Sequence, residues 1–149
     1  MTQKEFIEVL DKKGYSYEIE GDKIVVTDRG LGINLTGINS IPAGVEFRNL
    51  HHVRLCLLNT LPPGIEFNNE GRVTLEALTS LPHGAEFKNG GSVLLNSLTS
   101  IPPGVEFNNS GNVFLVHLIG GWSNEWEGNI EGIDSKRLLN LMINKGMFI

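Results

Sequence analysis

The chain has 149 residues, is 40% hydrophobic and carries a net charge of −5. That length suits one domain with its own core, and the mild acidity argues against a nucleic-acid binder that works by neutralising phosphates. The one cysteine, Cys56, excludes an internal disulfide and points to a reducing compartment.

The segment from Met1 to Gly14 mixes charged with apolar residues and has no continuous apolar run of the signal-peptide kind. Thr2 with Glu5 fits a capping box. The predicted helix then places Phe6, Val9 and Leu10 on one face, and Gly14 can stop it. Tyr15 to Glu20, a Gly21-Asp22 turn and Lys23 to Thr27 read as a hairpin. No stretch approaches the ~18 apolar residues of a membrane span, so a soluble, cytoplasmic protein is expected.

From here the chain repeats itself. Pro42, Pro62, Pro82 and Pro102 fall at a period of 20 without slippage. The same step carries Gly44, Gly64, Gly84 and Gly104, then Phe47, Phe67, Phe87 and Phe107, then Asn49, Asn69, Asn89 and Asn109. A second stretch keeps it with Val53, Val73, Val93 and Val113, followed two places on by Leu55, Leu75, Leu95 and Leu115, and then by Leu58, Leu78, Leu98 and Leu118. Ile33, Leu35, Ile38 and Ile41 form a degenerate opening copy one period earlier.

Each unit holds two short stretches of apolar–polar alternation, the period of a half-buried strand. The Pro-x-Gly corner fixes φ at the proline and releases it at the glycine, and Phe-x-Asn-x-Gly makes the other corner with residues that tolerate a left-handed backbone. Twenty residues suit one circuit of a β-solenoid of leucine-rich-repeat type. The expected fold is mainly β: one domain with a helix-and-hairpin cap over residues 1–29, about five parallel coils over 30–119, and a loop and helix cap over 120–149. Positions 41, 45, 47, 53, 55 and 58 and their equivalents should face inward. About six buried apolar side chains at roughly 1.5–3 kcal/mol each do not offset the ordering of one coil at about 1–2 kcal/mol per residue, so only a stack survives.

The outward positions carry the candidate chemistry. Glu46, Glu66, Glu86 and Glu106 should form a solvent-facing ladder with Arg48 and Lys88 beside it. Such a column can engage a partner, or simply keep the sheet soluble. The column Arg54, Thr74, Leu94, Phe114, joined by Val116, turns apolar toward its end. The C-terminal helix should cover it; otherwise it is a patch left for a partner. His51, His52, His83 and His117 are too dispersed to supply the several ligands a metal needs, so no metal or cofactor is expected. Cys56 has Glu76 in its column but no histidine to activate it. Trp122 and Trp126 either cover the last coil or anchor a partner. After a cap at Asp134 or Ser135, Leu138, Leu139, Leu141, Met142 and Ile143 predict a helix closed by Lys145-Gly146, with Met147, Phe148 and Ile149 folding back.

The unit with its Leu-Pro corner resembles the short leucine-rich repeats of bacterial effectors. Those repeats carry asparagine three residues after the strand, where this chain has Leu58, Leu78, Leu98 and Leu118, so their asparagine ladder does not transfer. Leu78-Thr79-Ser80-Leu81-Pro82, Glu66-Phe67-Asn68-Asn69 and Leu98-Thr99-Ser100-Ile101-Pro102 more closely resemble uncharacterised bacterial and phage repeat proteins, as does the ending from Gly132 to Phe148. That resemblance implies architecture and a mobile-element setting, and no known activity. No catalytic motif stands out. The expected function is a non-enzymatic interaction module for another protein, a monomer or weak dimer, with direct nucleic-acid binding not expected. The alternative is an inhibitor of a host nucleic-acid-binding protein that works through the acidic ladder.

Overall fold

The computed structural model of the chain describes residues 1–115 and 135–146. The capping box forms as the sequence predicts. Thr2 Oγ1 accepts from the Glu5 amide at 3.1 Å, and the Thr2 amide donates to Glu5 Oε2 at 2.7 Å. They start α1 (Gln3–Lys13), which ends on Gly14 at φ 74°. Phe6 and Leu10 bury the apolar face of α1 in the core.

β1 (Tyr17–Glu20) and β2 (Lys23–Val26) make the antiparallel hairpin. The hairpin does more than cap the stack, because β2 runs parallel to the first Val-Glu-Phe strand and begins the sheet. The short strands then alternate between two faces. β3 (Ile33–Asn34), β5 (Val53–Arg54), β7 (Val73–Thr74), β9 (Val93–Leu94) and β11 (Val113–Phe114) make a five-stranded parallel sheet. β4 (Val45–Phe47), β6 (Glu66–Phe67), β8 (Glu86–Phe87) and β10 (Glu106–Phe107) continue from β1 and β2 as a six-stranded sheet. Every coil-to-coil pairing joins residues one period apart, such as Glu66 with Glu86 and Val73 with Val93. The result is the expected β-solenoid.

The inward positions are buried as the alternation requires. Phe47, Phe67, Phe87 and Phe107 stack with centroids 5.5, 5.2 and 5.2 Å apart. Gly44, Gly64, Gly84 and Gly104 take φ between 73° and 90°, which accounts for the invariant corner glycine.

The second corner works differently from the sequence expectation. Among the described residues no non-glycine has positive φ, so its asparagines do not serve as left-handed turn residues. Asn49, Asn69, Asn89 and Asn109 are buried, and their amides donate to corner carbonyls. Each of the last three also reaches a carbonyl of the coil before it: Asn69 to His51 at 3.0 Å, Asn89 to Gly71 at 3.0 Å and Asn109 to Gly91 at 3.1 Å. Buried carbonyls need partners, and this asparagine column supplies them. The corner backbones approach so closely that a Cβ on Gly71 would fall 2.6 Å from the His51 carbonyl carbon, which makes glycine obligatory there.

At the other end, α2 (Ser135–Asn144) buries Leu139 and Ile143 in the same core, while Leu141 points outward. Among the described residues the helix does not pack mainly against the column from Arg54 to Phe114. It packs on β10, where the Asn140 side chain accepts from the Phe107 amide at 2.8 Å and donates to its carbonyl at 3.0 Å. A side-chain amide thus replaces the backbone of a further coil. The reason is edge chemistry: β10 presents unpaired backbone groups that cost more to leave bare than the half-buried Leu94 and Phe114 side chains do. Val116, His117, Leu118, Trp122, Trp126, Asp134, Met147, Phe148 and Ile149 lie outside the described residues.

Candidate functional site

In the coils, the outer face of the six-stranded sheet is built from the glutamate that precedes each stacked phenylalanine. With Val45, Ile65, Ala85 and Val105 inward on one side and the phenylalanines inward on the other, the intervening glutamate must point out. Parallel, in-register pairing then stacks Glu46, Glu66, Glu86 and Glu106 at a strand spacing of about 4.8 Å. Like charges at that spacing repel.

The repulsion is relieved by the column two residues on, which reads Arg48, Asn68, Lys88, Asn108. Asn68 donates to Glu46 at 2.8 Å and to Glu66 at 3.4 Å, bridging that pair. Asn108 bridges the next pair, donating to Glu86 at 3.1 Å and to Glu106 at 3.3 Å. Among the described residues no amide spans Glu66 and Glu86. Lys88 leans on Glu86 at 3.4 Å instead, and Lys23 reaches up from β2 to Glu66 at 2.8 Å. The unbridged rung coincides with a groove of about 280 Å³ lined by Glu66, Asn68, Glu86, Lys88, Pro82 and Gly84.

The four rungs are not equivalent. Glu106 is exposed and Glu66 and Glu86 are half-exposed, but Glu46 is only 4% exposed. The expectation of a uniformly solvated ladder fails at Glu46 because its neighbour below is Val25 of β2, itself fully buried. Burial by itself would raise the Glu46 pKa. Hydrogen bonds from Arg48 and Asn68 and the charges of Arg48 and Lys23 outweigh it, holding the carboxyl below the usual carboxylate range. Arg48 is in turn clamped between Glu20 at 3.0 Å and Glu46 at 2.8 Å, and these two hydrogen bonds raise its pKa. Lys23 is likewise raised, chiefly by its hydrogen bond to Glu66.

The remaining candidates stay apart. His83 is exposed in a Pro-x-Gly corner, whereas His51 and His52 sit at the asparagine corner. Among the described residues no three His, Cys, Asp or Glu side chains group as metal ligands. Cys56 is half-buried and Glu76 exposed. Trp122 and Trp126 lie outside the described residues. Among those residues no helix is long and apolar enough to cross a membrane.

Two features of the face were not anticipated from sequence. The bridging role of Asn68 and Asn108 was open to view in the alternation of cation and amide at positions 48, 68, 88 and 108. The seating of Glu46 on Val25 carries no such signal, because β2 lies outside the repeat. No family model, curated protein or solved structure matches the chain.

Proposed function

We propose that this chain is a non-enzymatic docking module that binds another protein through the outer face of its six-stranded sheet. The observation that carries the proposal is the in-register row Glu66, Glu86, Glu106 with the groove at its unbridged rung. A solenoid offers a regular surface rather than a deep cavity. A face that repeats charge at strand spacing suits a partner with basic side chains along an extended surface, and charge complementarity sets the encounter rate and register of such contacts.

The alternative is imitation of a phosphate backbone to block a host nucleic-acid-binding protein, in keeping with the resemblance to phage repeat proteins. It has less support. Duplex DNA carries one charge per ~1.7 Å of axis, whereas the ladder offers one per ~4.8 Å. Glu46 is withdrawn from the surface, and Lys23 and Lys88 dilute the rest.

The test is capture of the partner by the full chain, followed by association kinetics for wild type and the Glu66→Gln/Glu86→Gln double variant. A slower on-rate in the variant and an affinity that falls steeply with salt support the docking face. A partner indifferent to both moves the contact elsewhere on the molecule. Turnover of a small molecule, abolished by changing one polar residue, overturns the non-enzymatic reading.

A further inference from the structure

The two sheets carry opposite charge. On the five-stranded sheet, residues 52, 54, 72 and 74 all face outward, because Val53, Leu55, Val73 and Leu75 between and beyond them are buried. They are His52, Arg54, Arg72 and Thr74. Adjacent coils bring them together: Arg54 is the register partner of Thr74, and the Val53 amide donates to the Arg72 carbonyl at 2.8 Å. His52 is held in place from below, its imidazole lying flat against Gly32, where a Cβ would fall 2.6 Å from Nε2.

Among the described residues this cluster has no ion-pair partner. Arg54 and Arg72 are exposed, and neither forms an ion pair among the described residues. Glu70 and Glu76, the nearest carboxylates along the chain, pair with neither. From β3 the cluster faces Gly32 and the neutral Asn34, from β9 the neutral Ser92 and Leu94, and the corners leading into β5 and β7 add His51 and Glu70. His52 records the crowding: burial first, then Arg54, His51 and Arg72, push its pKa down. Thr74 is only 6% exposed, yet its hydroxyl enters none of the hydrogen bonds among the described residues. An acidic chain thus concentrates unpaired cations on one part of the sheet, beside a threonine hydroxyl that no other side chain uses, at a cost in self-repulsion.

We propose that this part of the five-stranded sheet, at β5 and β7, binds a tetrahedral oxyanion of the phosphate class, free or at the end of a phosphorylated small molecule. Arg54, Arg72 and His52 hold it, with Thr74, the register partner of Arg54, beside them. One arginine suffices to grip a planar carboxylate through two parallel bonds. Donors on separate stems from strands about 4.8 Å apart instead approach from several directions, which matches an anion with three or four acceptor oxygens. The site is distinct from the glutamate face and does not depend on its role.

The experiment is a titration of the full chain at constant ionic strength, held with chloride and followed by the side-chain NMR signals of His52 and the two arginines. Inorganic phosphate and phosphoserine are the two probes, so that a free anion is told apart from a phosphorylated molecule. The expected result is a saturable shift, weakened at least tenfold by Arg54→Gln/Arg72→Gln and partly restored by lysine at both positions. Both arginines are exposed, and an unchanged circular dichroism melt shows that the variant is folded. Sulfate, whose charge is constant with pH, should bind more tightly at pH 6 than at pH 8, because a bound anion favours protonated His52. His52→Gln should remove that difference. A response that chloride reproduces, that survives the double variant, or that citrate elicits more strongly than phosphate overturns the proposal.

Discussion

The asparagine corner makes a quantitative prediction about coupling between coils. The Gly71 carbonyl accepts from the side-chain amide of its own coil, Asn69 at 3.1 Å, and from the next coil, Asn89 at 3.0 Å. Replacing Asn69 by Ala leaves one donor on that carbonyl. His51 likewise keeps Asn49 at 2.9 Å, and the Arg72 carbonyl keeps the Val53 amide. Each single substitution therefore loses hydrogen bonds worth about 0.5–1.5 kcal/mol net apiece and opens a small cavity, for about 2–3 kcal/mol in all. Replacing Asn69 and Asn89 together strips both donors from Gly71 and strands a buried carbonyl, which costs a further ~1–3 kcal/mol. The pair Asn49 and Asn89 shares no carbonyl. Its effects should add within about 0.5 kcal/mol. Urea unfolding of both double-mutant cycles by circular dichroism measures the two coupling energies. Equal couplings, whether both near zero or both large, would refute the idea that coils are joined through shared corner carbonyls.

Three further outcomes follow from the packing. Phe67→Ala removes the ring between Phe47 and Phe87 and should destabilise by about 3–5 kcal/mol; a thermal melt like the parent's would place the core elsewhere. Asn140→Ala should free the Phe107 amide and carbonyl from α2, costing about 1–3 kcal/mol, and hydrogen exchange should accelerate at Phe107 before it does at Phe67. Because the folded pKa of Glu46 is depressed, its contribution is fully present above the ordinary carboxylate pKa of about 4.3 and is lost as pH falls through the lower folded value. Glu46→Gln should therefore flatten that acid limb of the stability curve, measured by urea unfolding between pH 6 and pH 3; an unchanged limb would refute the assignment.

The sequence determined most of this molecule through translation. In a stack of period 20, a residue's neighbours above and below are its own copies. Knowing the alternation within one coil therefore fixes the Phe47–Phe107 column, the buried valines and leucines, and the outward row of glutamates. The corner glycines follow from the same logic, since each needs positive φ for the same turn. The capping box is equally local, spanning only Thr2 to Glu5.

Tertiary structure decided the places where translation stops. Glu46 carries the same letter as Glu106, yet one is buried and the other exposed. Their neighbours beyond the repeat differ: Val25 and Lys23 lie beside the first, while α2 adjoins the strand of the last. The asparagine column also needed three dimensions, because a hydrogen bond between residues 18 apart in sequence, such as Asn89 to the Gly71 carbonyl, exists only once two corners stack. Side chains that serve the backbone of another coil have no signature in their own. Periodicity announces that such positions matter, and only the close approach of one corner to the next shows what the amide does there.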